Sequence, residues 1–222
     1  MSQKTNIQWT DATVNFWTGC KKVSAGCKYC YMYRDKERYG KDPSEVVLVS
    51  DKTIMGTLRK LTIPSKIFTC SWSDFFIEEA DRWRDKAWKI IKDHPQHQWQ
   101  ILTKRPERIR QCLPDDWGDG YENVWLGVTV ENQLSANDRI WQLIDAPAKV
   151  KFISVEPLLE EVDLWLDKCL TGNLLEDKID WVIVGGESGN DAGKYLYRPC
   201  KVEWMELIVQ QCDSANIPVF VK

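Results

Sequence analysis

Along this chain, short runs dense in β-branched and aromatic residues alternate with longer stretches whose apolar positions return every three or four residues. The short runs read as strands: residues 13 to 17, Lys66-Ile-Phe-Thr-Cys70, Gln98-Trp-Gln-Ile-Leu102, Val124-Trp-Leu-Gly-Val-Thr-Val130, Lys149-Val-Lys-Phe-Ile-Ser-Val155 and Trp181-Val-Ile-Val184. Pro218-Val-Phe-Val221 offers a seventh. The stretches between them read as helices. One is capped by Ser50 and stopped by Pro64, and residues 78 to 92 carry Ala80, Trp83, Ala87, Ile90 and Ile91 at helical steps. Pro106 opens 107 to 112, and 135 to 144, 160 to 169 and 202 to 213 complete the series. A helix from Cys30 to Tyr39 is closed by Gly40, whereas Val46-Val-Leu-Val49 is either an extra strand or an excursion. Regular alternation of this kind predicts parallel strands joined by right-handed crossovers, as a barrel or a doubly wound sheet. No linker or repeat divides residues 1 to 222, and 113 to 123, with Pro114, Gly118 and Gly120, reads as a loop inside one α/β domain.

Composition changes the picture little. A net charge of -3 argues against a generally basic surface, although it leaves room for a local basic cleft. Twelve tryptophans are expected mostly in the core or in partial burial. No run approaches the length of a membrane span, and the first residues carry no apolar segment, so neither a span nor a signal peptide is expected. Eight scattered cysteines fit a reducing, cytoplasmic compartment, with Cys70, Cys112, Cys169, Cys200 and Cys212 as small buried residues. His94 and His97, flanking Pro95, read as solvated turn residues.

The other three cysteines, Cys20, Cys27 and Cys30, share one loop directly after the first strand. An odd number of closely spaced thiols points to metal ligation rather than a disulfide. Thiolates select zinc, Cu(I) or iron–sulfur clusters, whose structural sites take four protein ligands, so three leave a position open. Zinc completed by an outside ligand such as His94 or His97 stays open too, as do unligated thiols. In parallel α/β folds ligands gather at the carboxyl ends of strands. That rule adds Ser71, Ser73 and Asp74 after the second strand, and Lys104 and Arg105 after the third. It adds Thr129, Glu131 and Asn132 after the fourth, Glu156 after the fifth, and Gly185, Gly186 and Glu187 after the sixth. The glycine pair either lets backbone approach a ligand or forms a plain αL turn.

The pattern Cys-x6-Cys-x2-Cys, with Tyr29 before its last cysteine, resembles the cluster loop of radical S-adenosylmethionine (SAM) enzymes. Their usual spacing is Cys-x3-Cys-x2-Cys, so the first gap here is longer. The whole chain also resembles an uncharacterised family of radical-SAM-like proteins of phages and mobile elements. That likeness rests on Trp17-Thr-Gly-Cys20, Gly26-Cys-Lys-Tyr-Cys-Tyr31, Leu102-Thr-Lys-Arg-Pro106, Trp125-Leu-Gly-Val-Thr-Val-Glu131, Ser154-Val-Glu-Pro-Leu158 and Gly185-Gly-Glu-Ser-Gly189. A fainter similarity links it to the spore photoproduct lyase branch. The resemblance implies a partial (β/α)6 TIM-like barrel with a seventh C-terminal strand, a 4Fe-4S cluster on Cys20, Cys27 and Cys30, and SAM chelating the open iron. It implies reductive cleavage of SAM to a 5'-deoxyadenosyl radical that abstracts hydrogen from a substrate, with a nucleic acid or nucleotide as the leading guess. A flavodoxin- or ferredoxin-like protein would supply the electron.

With SAM in place, Lys104 or Arg105 suits its carboxylate, and Ser71, Ser73 and Asp74 suit its ammonium. Thr129, Glu131 and Asn132 suit its ribose side. Glu156 and Glu187 are the catalytic candidates. Lys21, Lys22, Lys28, Arg34, Lys36 and Arg38 approach phosphates or simply form a solvated basic face. Two other classes remain: a zinc-stabilised nucleic-acid-binding module, and a metal-free α/β hydrolase or transferase built on Glu131, Glu156 and Glu187.

Overall fold

The apolar runs become strands because both of their faces are covered. The computed structural model describes residues 5–166, 179–190 and 193–222. In chain order its elements are β1 (Ala12–Val14), β2 (Trp17–Thr18), α1 (Tyr31–Arg38), β3 (Val47–Leu48), α2 (Asp51–Leu58), β4 (Lys66–Thr69) and α3 (Asp81–Lys92). There follow β5 (Gln98–Thr103), β6 (Val124–Thr129), α4 (Gln133–Asp145), β7 (Val150–Val155), β8 (Trp181–Val184), α5 (Val202–Ser214) and β9 (Val219–Val221). Seven strands pair in parallel in the order β1-β4-β5-β6-β7-β8-β9, and this sheet curls into a half-barrel. All seven predicted strands are present.

Strand alternation divides the side chains between two faces. Outward-facing Ile67, Ile101, Leu126, Ile153 and Val182 join the main core with Trp88 and Ile91 of α3, Leu143 of α4 and Ile208 of α5. The concave face has its own apolar cluster, in which Phe68, Phe152 and Ile183 are covered by Trp9 from the segment before β1. Trp9 and Phe68 pack with ring centroids 4.7 Å apart. Phe152 fits inside the curl because Gly127 lies opposite it: a Cβ there would meet the ring at 2.5 Å. Gly127→Ala is therefore expected to lower stability by about 1–3 kcal/mol, the usual range for overpacking, with unchanged m-value in urea unfolding.

Several local expectations change. The run from 13 to 17 splits, since β1 ends at Val14 and Trp17–Thr18 pairs antiparallel with β3. Within Val46 to Val49, Val47–Leu48 is thus an extra short strand, β3, folded back on the entrance to the cysteine loop outside the main sheet. Residues 107 to 112 form two 3-10 turns, Pro106–Arg108 and Arg110–Cys112, because the segment is too short for an α-helix before Pro114. Residues 160 to 165 are irregular, with Trp165 at φ 51°, and 167 to 169 of that expected helix, Cys169 among them, lie outside the described residues. His97 is not solvated: it is buried, and its Nδ1 accepts the Ser65 backbone N–H. It precedes the amino end of β5, about 20 Å of strand away from the carboxyl end at ~3.3 Å per residue. Neither it nor nearby His94, whose Nδ1 faces the Ile90 carbonyl, is placed to complete a site with the cysteines. No helix among the described residues is long and apolar enough to cross a membrane.

Candidate active site at the cysteine loop

The loop enters through Gly19, which only glycine fits: φ is +97° and a Cβ would lie 1.9 Å from the Glu45 carbonyl oxygen. Cys27 ends a 3-10 turn, Ala25–Cys27, and Cys30 is the N-cap of α1. All three thiols face one cavity at the carboxyl ends of the strands, with about 1090 Å³ of empty space including its open mouth. Trp9, Phe68 and Leu102 line its apolar end. Of the residues expected at the site, all but Glu131, Asn132, Gly185 and Gly186 line this cavity.

Lining it is different from being available. Asp74 is buried and fully engaged: it accepts Thr103 Oγ1 at 2.7 Å, the backbone N–H groups of Phe76 and Lys104 at 2.9 Å each, and Arg105 Nη1 at 3.2 Å. Arg105 is committed in turn, donating from Nη2 to the Lys21 carbonyl at 2.9 Å and from Nη1 towards Cys20 Sγ at 3.8 Å. This pair anchors the loop, and each charge already has partners within the protein. Ser73 donates to the Gly19 carbonyl at 2.5 Å, and Ser71 accepts Asn15 Nδ2 at 3.2 Å. Lys104 is the less committed cation, with its Nζ 3.9 Å from Glu131.

Glu131 lies behind the loop rather than in the cavity. Its carboxylate accepts Ser24 Oγ at 2.5 Å and Arg139 Nη1 at 3.1 Å, and Gly26 packs so closely on it that a Cβ would meet Glu131 Cγ at 2.4 Å. Asn132 is the N-cap of α4, in a reciprocal capping box with Ser135. Glu187 accepts the backbone N–H of Arg198 and Nε of its guanidinium, both at 2.9 Å, and pairs with Nη2. These bonds leave it poorly suited to proton transfer. Glu156 keeps one ionic partner, Lys222 Nζ, at the cavity wall. Gly185 and Gly186 have no positive φ; they admit close packing of Lys222 and Cys200 side chains, 3.2 and 3.4 Å from where a Cβ would stand.

Sequence reading missed Arg198 and Lys222. Arg198 donates to the Ala25 carbonyl at 3.0 Å and lies over the Tyr29 ring, tying the end of β8 to the loop. Nothing in its surroundings in the sequence marks it. Ser154 was legible, because it is a polar residue between the apolar Ile153 and Val155 at the carboxyl end of β7.

Burial pushes the Cys20 thiol up to about 12; the Asp74 carboxylate adds to the rise and the Arg105 guanidinium opposes it. Only the thiolate attacks an alkylating agent. Iodoacetamide labelling of Cys20 in metal-free protein, followed by peptide mass spectrometry, is accordingly expected to climb about tenfold per pH unit from pH ~8 to ~10 without a plateau.

A parallel half-barrel with a three-thiol loop over a cavity at its strand ends defines the class of site. The chain matches, over residues 4–222, the family described as "Protein of unknown function (DUF5131)", and it belongs to that family. No curated protein and no solved structure matches it.

Proposed function

We propose that this protein is a radical SAM enzyme, with a 4Fe-4S cluster on Cys20, Cys27 and Cys30 and SAM in the adjoining cavity. The reading rests on one observation: three thiols of a single loop face one cavity at the carboxyl ends of a parallel, curled sheet. Its fold would then be the partial (β/α)6 barrel of that superfamily with one strand added.

The donor set fits such a group. Among the described residues no group of three or more His, Cys, Asp and Glu side chains is arranged as a ready-made metal site, so the fit is one of donor chemistry. Thiolates are the ligands that iron–sulfur clusters take, and three of them leave one iron for SAM. The long first gap is supported by Ser24 and Gly26 against Glu131. The zinc alternative loses its two nominated outside ligands, since His94 and His97 sit at the opposite end of β5.

When bound, cluster and SAM supply reductive cleavage of a carbon–sulfur bond and a 5'-deoxyadenosyl radical. The chain's own residues hold and shield. Arg105 steadies the Cys20 end of the loop, and Arg198 and Glu131 steady its middle. Lys104 meets the cofactor carboxylate as a point charge. Trp9, Phe68 and Leu102 keep water from the deep end of the cavity, where a nucleic acid or nucleotide substrate would present its reacting carbon. A flavodoxin- or ferredoxin-like donor supplies the electron.

Anaerobic purification is expected to give brown protein absorbing at roughly 400 nm, a region where thiolate-bound clusters absorb. Incubation with dithionite and SAM should then release 5'-deoxyadenosine. Colourless protein carrying zinc alone after anaerobic reconstitution would end this reading.

A further inference from the structure

Three polar side chains on the concave face are buried without partners. Thr129 and Ser154 stand opposite each other on β6 and β7 and are only 1% and 2% exposed. Both line the cavity, and neither hydroxyl meets a hydrogen-bond partner among the described residues. Deeper on the same face, two residues before Leu102, Gln100 is fully buried and neither of its amide atoms is paired. Buried polar groups are normally satisfied, and Gln100 has both amide atoms buried and unpaired, whereas the Thr129 and Ser154 hydroxyls open onto the cavity, where a polar guest can meet them. Around them the wall is apolar: Phe68 lies beside Gln100 in register, and Leu102 and Trp9 adjoin it at the cavity's inner end.

We infer that this inner chamber receives the substrate, as a planar heteroaromatic ring of nucleobase size. Flat apolar walls match the faces of such a ring. Two neighbouring hydroxyls, each able to donate or accept, match the alternating donors and acceptors along its edge. An aliphatic chain would leave the hydroxyls unpaired, and a bare sugar would waste the aromatic wall. Gln100 does not itself line the cavity, and it enters the proposal only as an unpaired amide deeper on the same face. The inference rests on the radical SAM reading for the word substrate, and it moves Thr129 from the cofactor to the ring.

Isothermal titration calorimetry on the full chain tests it, with thymidine, cytidine, guanosine and ribose as probes. SAM is titrated separately into cluster-reconstituted protein. At least one nucleoside is expected to bind and ribose is not. Thr129→Val combined with Ser154→Ala should weaken that nucleoside tenfold or more while SAM affinity stays within about twofold, since tenfold corresponds to 1.4 kcal/mol, the scale of a lost hydrogen bond. If the double variant melts early, the two single variants carry the comparison. The proposal is overturned if no nucleoside binds, or if the hydroxyl variants weaken SAM and spare the nucleoside. Nucleoside binding that depends on the hydroxyls in a protein unable to hold a cluster would keep the chamber and remove the radical SAM reading.

Discussion

Cys27→Ala is expected to abolish the proposed iron–sulfur chromophore: iron and sulfide should fall to background after anaerobic reconstitution, and 5'-deoxyadenosine formation should disappear with them. Cys27 closes the 3-10 turn that also positions its neighbours, with its N–H bonded to the Ser24 carbonyl at 3.1 Å. Removing its thiol leaves two ligands where the proposed cluster takes three and keeps one iron for SAM. The backbone of the turn survives, because the Ser24–Glu131 and Arg198–Ala25 bonds remain and only the 3.6 Å contact of Ser24 Oγ with the Cys27 sulfur is lost. Melting temperature of the metal-free protein should therefore stay close to wild type while the chromophore is lost. Cys200→Ala is the control. That thiol is half-buried beside Gly186 and lies outside the cavity lining, so its removal is expected to leave iron content intact. Full iron and sulfide in Cys27→Ala would strip Cys27 of its role.

The strands were legible because burial on both faces writes itself as a continuous apolar run, and the rule that ligands collect at strand ends then located the cavity. What that rule cannot say is which polar side chains at the rim stay available. Asp74, Arg105 and Glu187 line the cavity as expected, yet each is engaged by a partner that secondary-structure patterns do not connect to it. Arg198 is one such partner, and it comes from a loop far along the chain. Asn132 was legible as a helix cap, since it precedes the apolar steps of α4, but its position at a strand end drew it into the site instead. Gln100 and Ser154 carried a plainer signal than any rim residue. A polar side chain inside a buried strand has few structural reasons to be there. The tryptophans largely followed the expectation for aromatics: Trp17, Trp88, Trp99 and Trp117 are buried in the main core, while Trp9 lines the cavity.

Glu131→Ala is expected to lower stability by about 3–5 kcal/mol, the range for breaking a buried ion pair from one side. At about 2–4 °C per kcal/mol for a chain of this size, melting should fall by roughly 6–20 °C. The carboxylate side chain is 1% exposed and its partner Arg139 6%, so the substitution strands a buried guanidinium whose remaining bond is to the Thr129 carbonyl at 2.7 Å. Glu131→Gln keeps the shape and an acceptor oxygen for Ser24 or Arg139, and should lose less. A second readout separates the loop from the ion pair. Without the carboxylate, Ser24 Oγ is left with only the Cys27 sulfur, at 3.6 Å, and the stretch between Cys20 and Cys27 is released at its middle. Alkylation of Cys27 in folded Glu131→Ala should then be faster than in wild type at equal pH, whereas Glu131→Gln keeps the slower rate. Equal alkylation rates in all three proteins would mean that Glu131 stabilises the rim without holding the cysteine loop, and that Arg105 and Arg198 position the loop unaided.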